Sequence, residues 1–443
     1  MQQHHPPTPE ARLSLHSFYY NLIDAYYSMP GETLWIETLA RIGPEEANIE
    51  TILLDGMNHP DTPEERERAI EAALRFARYQ QFTTPRLEIV RAAANCSRTI
   101  QNRDLLGRSL YRLGDMLRVL RQYSEASAAL EEAREAFRMA NDLQGTTVCS
   151  FNLGRILEMT NQNDAAETVL RETRASFQKL GDSIQAGDCL YSISKTFRNR
   201  SRFQEQETML REALAGYERL GDAFRAAHCL RSIGDSFKGR CMYDEGELYL
   251  EKAKESFQKL GDNVGQAECL QSLGDIMRLR GQYEQAESTL KGARETFSRN
   301  GDILRQAESL LSLSMTFAAL DRFQEAEAAL QGAREAFDTL DSVEGKTKCL
   351  ASSGNMLLKQ GAVEQAEIAL KEARVSFESI NYTRGAADCL RDLAKLYYTR
   401  NQLKEAEEAI KEAQCYYDQV GLAVDAENCR KLLEEVRAQI LAL

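Results

Sequence analysis

Residues 264–282 read VGQAECLQSLGDIMRLRGQ, and residues 283–302 continue YEQAESTLKGARETFSRNGD. Each half places apolar or small residues at steps of three and four. In the first half these are Ala267, Leu270, Leu273, Gly274 and Met277, and in the second Tyr283, Ala286, Leu290, Ala293 and Phe297. That spacing predicts two helices of about four turns each, joined by short turns. The cysteine inside the first half extends the reading to most of the chain. Cys149, Cys189, Cys229, Cys269, Cys349, Cys389 and Cys429 fall on one beat of forty residues, with Ser109 and Ser309 on the beats that lack a thiol. A fixed period held this long marks a repeat array.

The same ruler sorts the other positions into columns. Phe137, Phe177, Tyr217, Phe257, Phe297, Phe337, Phe377 and Tyr417 share one phase. Leu130, Leu170, Leu210, Leu250, Leu290, Leu330, Leu370 and Ile410 share another. Gly114, Gly154, Gly234, Gly274 and Gly354 recur inside first helices, where glycine costs about 1 kcal/mol against alanine. A cost repeated so often predicts a backbone closely approached by another helix. After the second helices stand Gly181, Gly221, Gly261 and Gly301, suited to the left-handed residue that stops a helix, each followed by an aspartate able to cap the next. Asn141 and Asn381 replace that glycine tolerably, whereas Asp341 is the poorest substitute and predicts a less regular junction.

Eight helix pairs are expected from Arg103 to Gly421. The chain therefore divides into a disordered tail (1–10), an N-terminal helical segment (11–62), a degenerate repeat-like pair (63–102), eight 40-residue repeats (103–422) and a charged capping helix (423–443). The fold class is all-α, an α–α superhelix or solenoid of helical hairpins, in which each unit packs only on its neighbours.

The order Leu273-Gly274, Ala286, Leu290 and Ala293 resembles the tetratricopeptide repeat, and the resemblance covers residues 103–441. Three departures stand out. Leu270 lies where that family often has tryptophan, no proline closes the second helix, and the period is forty rather than about 34. The resemblance implies a protein-interaction module whose first helices line a concave groove. Residues 17–54, with Trp35, Ile42-Gly43-Pro44-Glu45 and Asn48-Ile49, resemble the linker after the nucleotide-binding domain of fungal STAND receptors of NACHT or NB-ARC architecture. That resemblance implies a sensor region. The ATPase motif is absent: in Gly345-Lys346-Thr347 the expected first glycine is Leu340, and no strand precedes it.

The chain has 443 residues, a formal charge of -13 and 28% charged residues. An acidic balance argues against nucleic acid as the main partner, while leaving room for a local basic groove. No run approaches the roughly 18 apolar residues of a membrane helix, and the first residues lack signal-peptide features. A cytoplasmic protein with reduced thiols is expected. Equivalent cysteines of adjacent repeats should lie about 8–10 Å apart or more, beyond disulfide reach of about 7 Å and far beyond metal-ligand geometry. Neither a disulfide, a metal site, a cofactor nor a catalytic constellation is expected, and the protein is read as non-enzymatic.

Function should then occupy the columns that packing leaves free. Tyr111, Phe151 and Tyr191 would hold apolar side chains of a bound peptide, and Arg118, Arg198, Arg231, Lys238 and Arg278 would meet its carboxylates. The expected partner is a protein or peptide, acidic with apolar anchors, with no nucleic acid or membrane involved. A self-associating scaffold is the alternative.

Overall fold

The computed structural model describes residues 9–28 and 34–442, so most of the expected disordered tail lies outside the described residues. Among those described, every regular element is helical. The chain divides into two compact units, Met1–Asp182 and Ser183–Leu443, and the boundary coincides with a repeat boundary.

The first unit begins with helices Pro9–Ala25 and Trp35–Ile42, a single 3-10 turn Gly43–Glu45, and helix Glu46–Asn58. Helix Pro63–Gln80 starts where Thr62 accepts a hydrogen bond from the Glu65 amide and Pro63 takes the first turn, the position proline tolerates best. Helix Glu88–Arg98 packs against it. Tyr20, Ile49, Leu53, Met57, Ile70 and Phe76 share one core among these helices, while Val90 and Ala94 join the core of the first regular repeat. Two regular pairs complete the unit: Arg103–Val119 with Tyr123–Met139, and Leu143–Met159 with Asn163–Lys179.

The second unit holds six pairs. They are Ser183–Asn199 with Phe203–Leu220, Ala223–Gly239 with Tyr243–Lys259, and Asn263–Leu279 with Tyr283–Arg299. Ile303–Ala319 with Phe323–Thr339, Val343–Lys359 with Val363–Ser379, and Thr383–Thr399 with Leu403–Gln419 follow, and Ala423–Ala442 closes the unit.

The mid-helix glycines mate with the leucine column. A Cβ built on Gly274 would stand 2.7 Å from Leu290 Cγ, and the same clash arises between Gly114 and Leu130, Gly154 and Leu170, Gly234 and Leu250, and Gly354 and Leu370. The leucine side chain thus fills the volume of the missing methyl, which brings the two helices of a pair to close packing. The leucine column is buried to 2% exposure or less throughout. Gly181, Gly221, Gly261 and Gly301 have positive φ, as do Asn141, Asn381 and Asp341. The Asp341 junction keeps the turn's hydrogen bonds, with Asp341 N donating to Asp338 O and Ser342 N to Phe337 O, but the helices it joins, Phe323–Thr339 and Val343–Lys359, pack less extensively than those at the neighbouring junctions. Asp142, Asp222, Asp262 and Asp302 cap the following helices, and Ser342 does so after Asp341.

Within the second unit, residues far apart in sequence also meet. Arg384 Nη1 donates to Gly239 O at 3.3 Å, and its guanidinium lies 5.8 Å from the centre of the Phe203 ring. Phe203 belongs to the same apolar cluster as Leu390 and Leu433, and Arg384 and Asp425 act electrostatically on Cys241. The unit therefore curls back on itself.

Two outcomes follow. Gly274→Ala gains about 1 kcal/mol of intrinsic helix propensity, yet overpacking against Leu290 costs about 1–3 kcal/mol. The expected result is a lower midpoint of urea denaturation followed by circular dichroism. Arg384→Ala is expected to speed maleimide labelling of half-buried Cys241 several-fold, read by mass spectrometry, while exposed Cys415 labels at an unchanged rate.

Candidate interaction face

First helices of successive repeats approach one another: Arg103–Val119 and Leu143–Met159 in the first unit, and each neighbouring pair from Ala223–Gly239 to Thr383–Thr399 in the second. Second helices show no comparable approach among the described residues. In a curved stack the inner elements crowd and the outer ones splay, so the first helices form the inner face of each unit.

The cysteine ladder does not belong to that face. Cys149, Cys189, Cys229, Cys269, Cys349, Cys389 and Cys429 are buried, as are Ser109 and Ser309. Burial pushes the Cys149, Cys229, Cys269 and Cys389 thiols up to about 12, which leaves them protonated at neutral pH and poor nucleophiles.

The aromatic candidates are partly occupied in stacking repeats together. In the first unit Asn152 Nδ2 donates to the Tyr111 hydroxyl at 3.4 Å, and Phe151 lies edge-on to Phe177 at 6.3 Å. In the second unit the Tyr191 hydroxyl meets Ser232 Oγ at 3.2 Å, and Lys195 Nζ lies 5.1 Å from the Tyr191 ring centre. Tyr111 and Tyr191 are half-buried and Phe151 is buried.

Most candidate cations are already paired. Arg118 holds Asp115 at 2.6 Å. In the second unit Arg231 meets Asp235 at 3.1 Å and Glu268 at 3.0 Å. Lys238 bridges Asp235 at 3.1 Å and Asp275 at 3.5 Å, and Arg278 reaches Asp275 at 3.8 Å. Serines extend this ladder, Ser272 donating to Asp235 at 2.5 Å and Ser312 to Asp275 at 2.7 Å. The acidic partners were legible in the free column Asp115, Asp235 and Asp275, but the period alone does not show that each lies within reach of the next repeat's cation.

Arg198 differs. It is exposed and makes no ion pair among the described residues, yet its charge acts on Glu308 and Glu344 of later repeats. Burial raises the Glu308 carboxyl, against the pull of Lys348, Arg305 and Arg198. His228, packed between Phe224 at 4.7 Å and Phe257 at 4.9 Å, reports the local sign of charge. Burial first, then Arg231, with Arg305 and Lys195 adding, depress its pKa to about 4 against the opposing pull of Asp262. At the ring itself these cations outweigh Asp262, although Arg231 and Arg305 are each paired with acids.

A family model for the tetratricopeptide repeat matches residues 105–179 and 226–298. These stretches carry tetratricopeptide repeats, in a form whose period is forty. The comparison with curated proteins finds no match. Among solved structures, a Rap protein complexed with Competence and Sporulation Factor is 15% identical, with 96% of this chain and 99% of that one covered at a TM-score of 0.51. The Rap conjugation gene regulator of plasmid pLS20, in complex with the Phr* peptide, is 13% identical and covers 93% and 97% of the two chains at a TM-score of 0.50. At such identities these likenesses establish the fold, an α-helical repeat array. A STAND protein with a tetratricopeptide repeat sensor from Pyrococcus horikoshii is 15% identical over 97% of this chain and 72% of that one, at a TM-score of 0.49. No helix among the described residues is long and apolar enough to cross a membrane.

His228 gives a pH prediction. Its folded value is about 4, against about 6.5 for a free imidazole. Between those limits the unfolded chain binds a proton that the folded one refuses, so stability falls as pH drops from about 6.5 to about 4. His228→Gln is expected to flatten the pH dependence of the melting temperature across that window.

Proposed function

We propose that the chain is a non-enzymatic protein-interaction module that takes an acidic peptide or protein segment on its inner face. Arg198 carries the reading: an exposed guanidinium with no ion pair among the described residues, acting at long range on Glu308 and Glu344 of later repeats. A guanidinium offers a planar fork to a carboxylate. Arg231, Lys238 and Arg278 are held in their ladder with Asp235 and Asp275, and Tyr191 supplies apolar surface beside them. In the first unit Tyr111, Phe151 and Arg118 form the corresponding face. The complex of a structurally similar regulator with the Phr* peptide supports a peptide as the class of ligand. With residues 17–54 resembling a STAND linker, such a module would serve as the sensor of a receptor of that kind.

A second reading, self-association, is favoured by Ile368 and Val375. They stand two turns apart on the outer helix Val363–Ser379 and are 59% and 64% exposed. Light scattering that rises in apparent mass with concentration would select it.

Panning a displayed random-peptide library against the full chain tests the main reading. Enriched sequences are expected to be acidic, and Arg198→Glu is expected to abolish their binding in fluorescence anisotropy. Enriched peptides without acidic residues, or unchanged affinity in the variant, would overturn it.

A further inference from the structure

A cavity of about 220 Å³ opens in the first unit beside Tyr111, between the first two regular repeats. Phe137 and Val148 give it apolar walls, and Asp104, Arg108 and Asp142 supply its charges. The internal repetition shows what such a space accepts. At a spacing of forty, Asp142 corresponds to Asp222 and Asp302, and Gly145 to Arg225 and Arg305.

In the second unit these arginines turn back onto their neighbours. Arg225 Nη1 lies 2.7 Å from Asp222 Oδ2, and its Nε lies 2.9 Å from Asp188 Oδ1. Arg305 pairs in the same way with Asp302 and Glu268. In two of the three other repeats with glycine at this place, another ring lies over the column aromatic: His228 is 4.9 Å from Phe257 beside Gly265, and Tyr382 is 5.3 Å from Phe377 beside Gly385. The repeat with Asp142, Gly145 and Val148 has neither device, and there the space stays open.

Arg108 stands where Asp188 and Glu268 stand in the second unit, so Asp142 is the acid that remains to meet a cation here. Arg108 is already held by Asp104 at 2.9 Å and by Glu71 at 3.2 Å. Asp142 uses Oδ1 to cap the Gly145 amide at 2.9 Å. Its Oδ2 lies 2.5 Å from where a Cβ on Gly145 would stand, so it faces the side from which Arg225 and Arg305 set out in their repeats.

We propose that this cavity receives an arginine side chain of a protein or peptide partner. The guanidinium takes at Asp142 the place that Arg225 and Arg305 take at Asp222 and Asp302, and the methylenes lie along Phe137 and Val148. This site does not depend on the assignment of Arg198, which lies in the other unit.

Saturation-transfer NMR on the full chain, with the capped tripeptide acetyl-Ala-Arg-Ala-amide as probe, tests it against the isosteric citrulline tripeptide. The arginine probe is expected to receive several-fold more saturation than the citrulline probe. Asp142→Asn keeps a capping oxygen but removes the charge, and is expected to erase that difference. Gly145→Arg is expected to fill the cavity from within and remove the signal, and Arg198→Glu to leave it unchanged. Equal saturation of the two probes, or an arginine preference that survives Asp142→Asn, would overturn the proposal. Loss of the preference in Arg198→Glu alone would overturn it too and assign the probe to the inner face of the second unit.

Discussion

The contact between a mid-helix glycine of one helix and the column leucine of its partner governs the array. Gly274 with Leu290 is the representative case, and five pairs show it. Removing one methyl lets the leucine seat against bare backbone, which fixes how the two helices cross. Small residues, Ser194, Ser314 and Ala394, hold that place in the other three pairs, and the stacking of similar pairs gives the curvature of a repeat array. The inner position of the first helices is a consequence of that curvature.

Curvature then decides the electrostatics. Positions that are free along one helix come together when first helices crowd on the inside. Asp235, Lys238, Asp275 and Arg278 become a continuous ladder in this way, with Ser272 and Ser312 binding its carboxylates. Pairing removes most of the attraction these cations would otherwise offer a ligand, because a neutralised pair in a recess has little field left over. Arg198 escapes because its column offers it no acid within bonding reach, and the long-range pull of Glu308 and Glu344 does not amount to an ion pair. The same crowding keeps the His228 ring neutral.

The repeat columns, the helix pairs, the caps and the burial of the cysteines were all legible from the period, since packing repeats wherever the sequence does. Two features were not. The turn within a pair adopts positive φ at Asn161, Gly281, Asp321, Gly361 and Asn401, types suited to it, and also at Arg121, Ser201 and Cys241, whose types do not mark it. The glycines at 145, 265, 345 and 385, each against a column aromatic, form no column in the sequence because other repeats hold leucine, glutamine or arginine there. That irregularity was the available signal, and it marks where one repeat lacks the arginine that others use.

By itself the sequence determined the class of fold and the columns that pack between the helices. A forty-residue period with fixed large and small columns admits only one local way of burying them. Only the tertiary structure decided which free positions are already spent on one another. Arg198 and Lys238 are both cations at the same step of their repeats, yet one is exposed and unpaired while the other lies between two aspartates. The difference arises across repeats, where distances depend on the accumulated rotation of the stack, and no periodicity along the chain encodes which charges that rotation brings together.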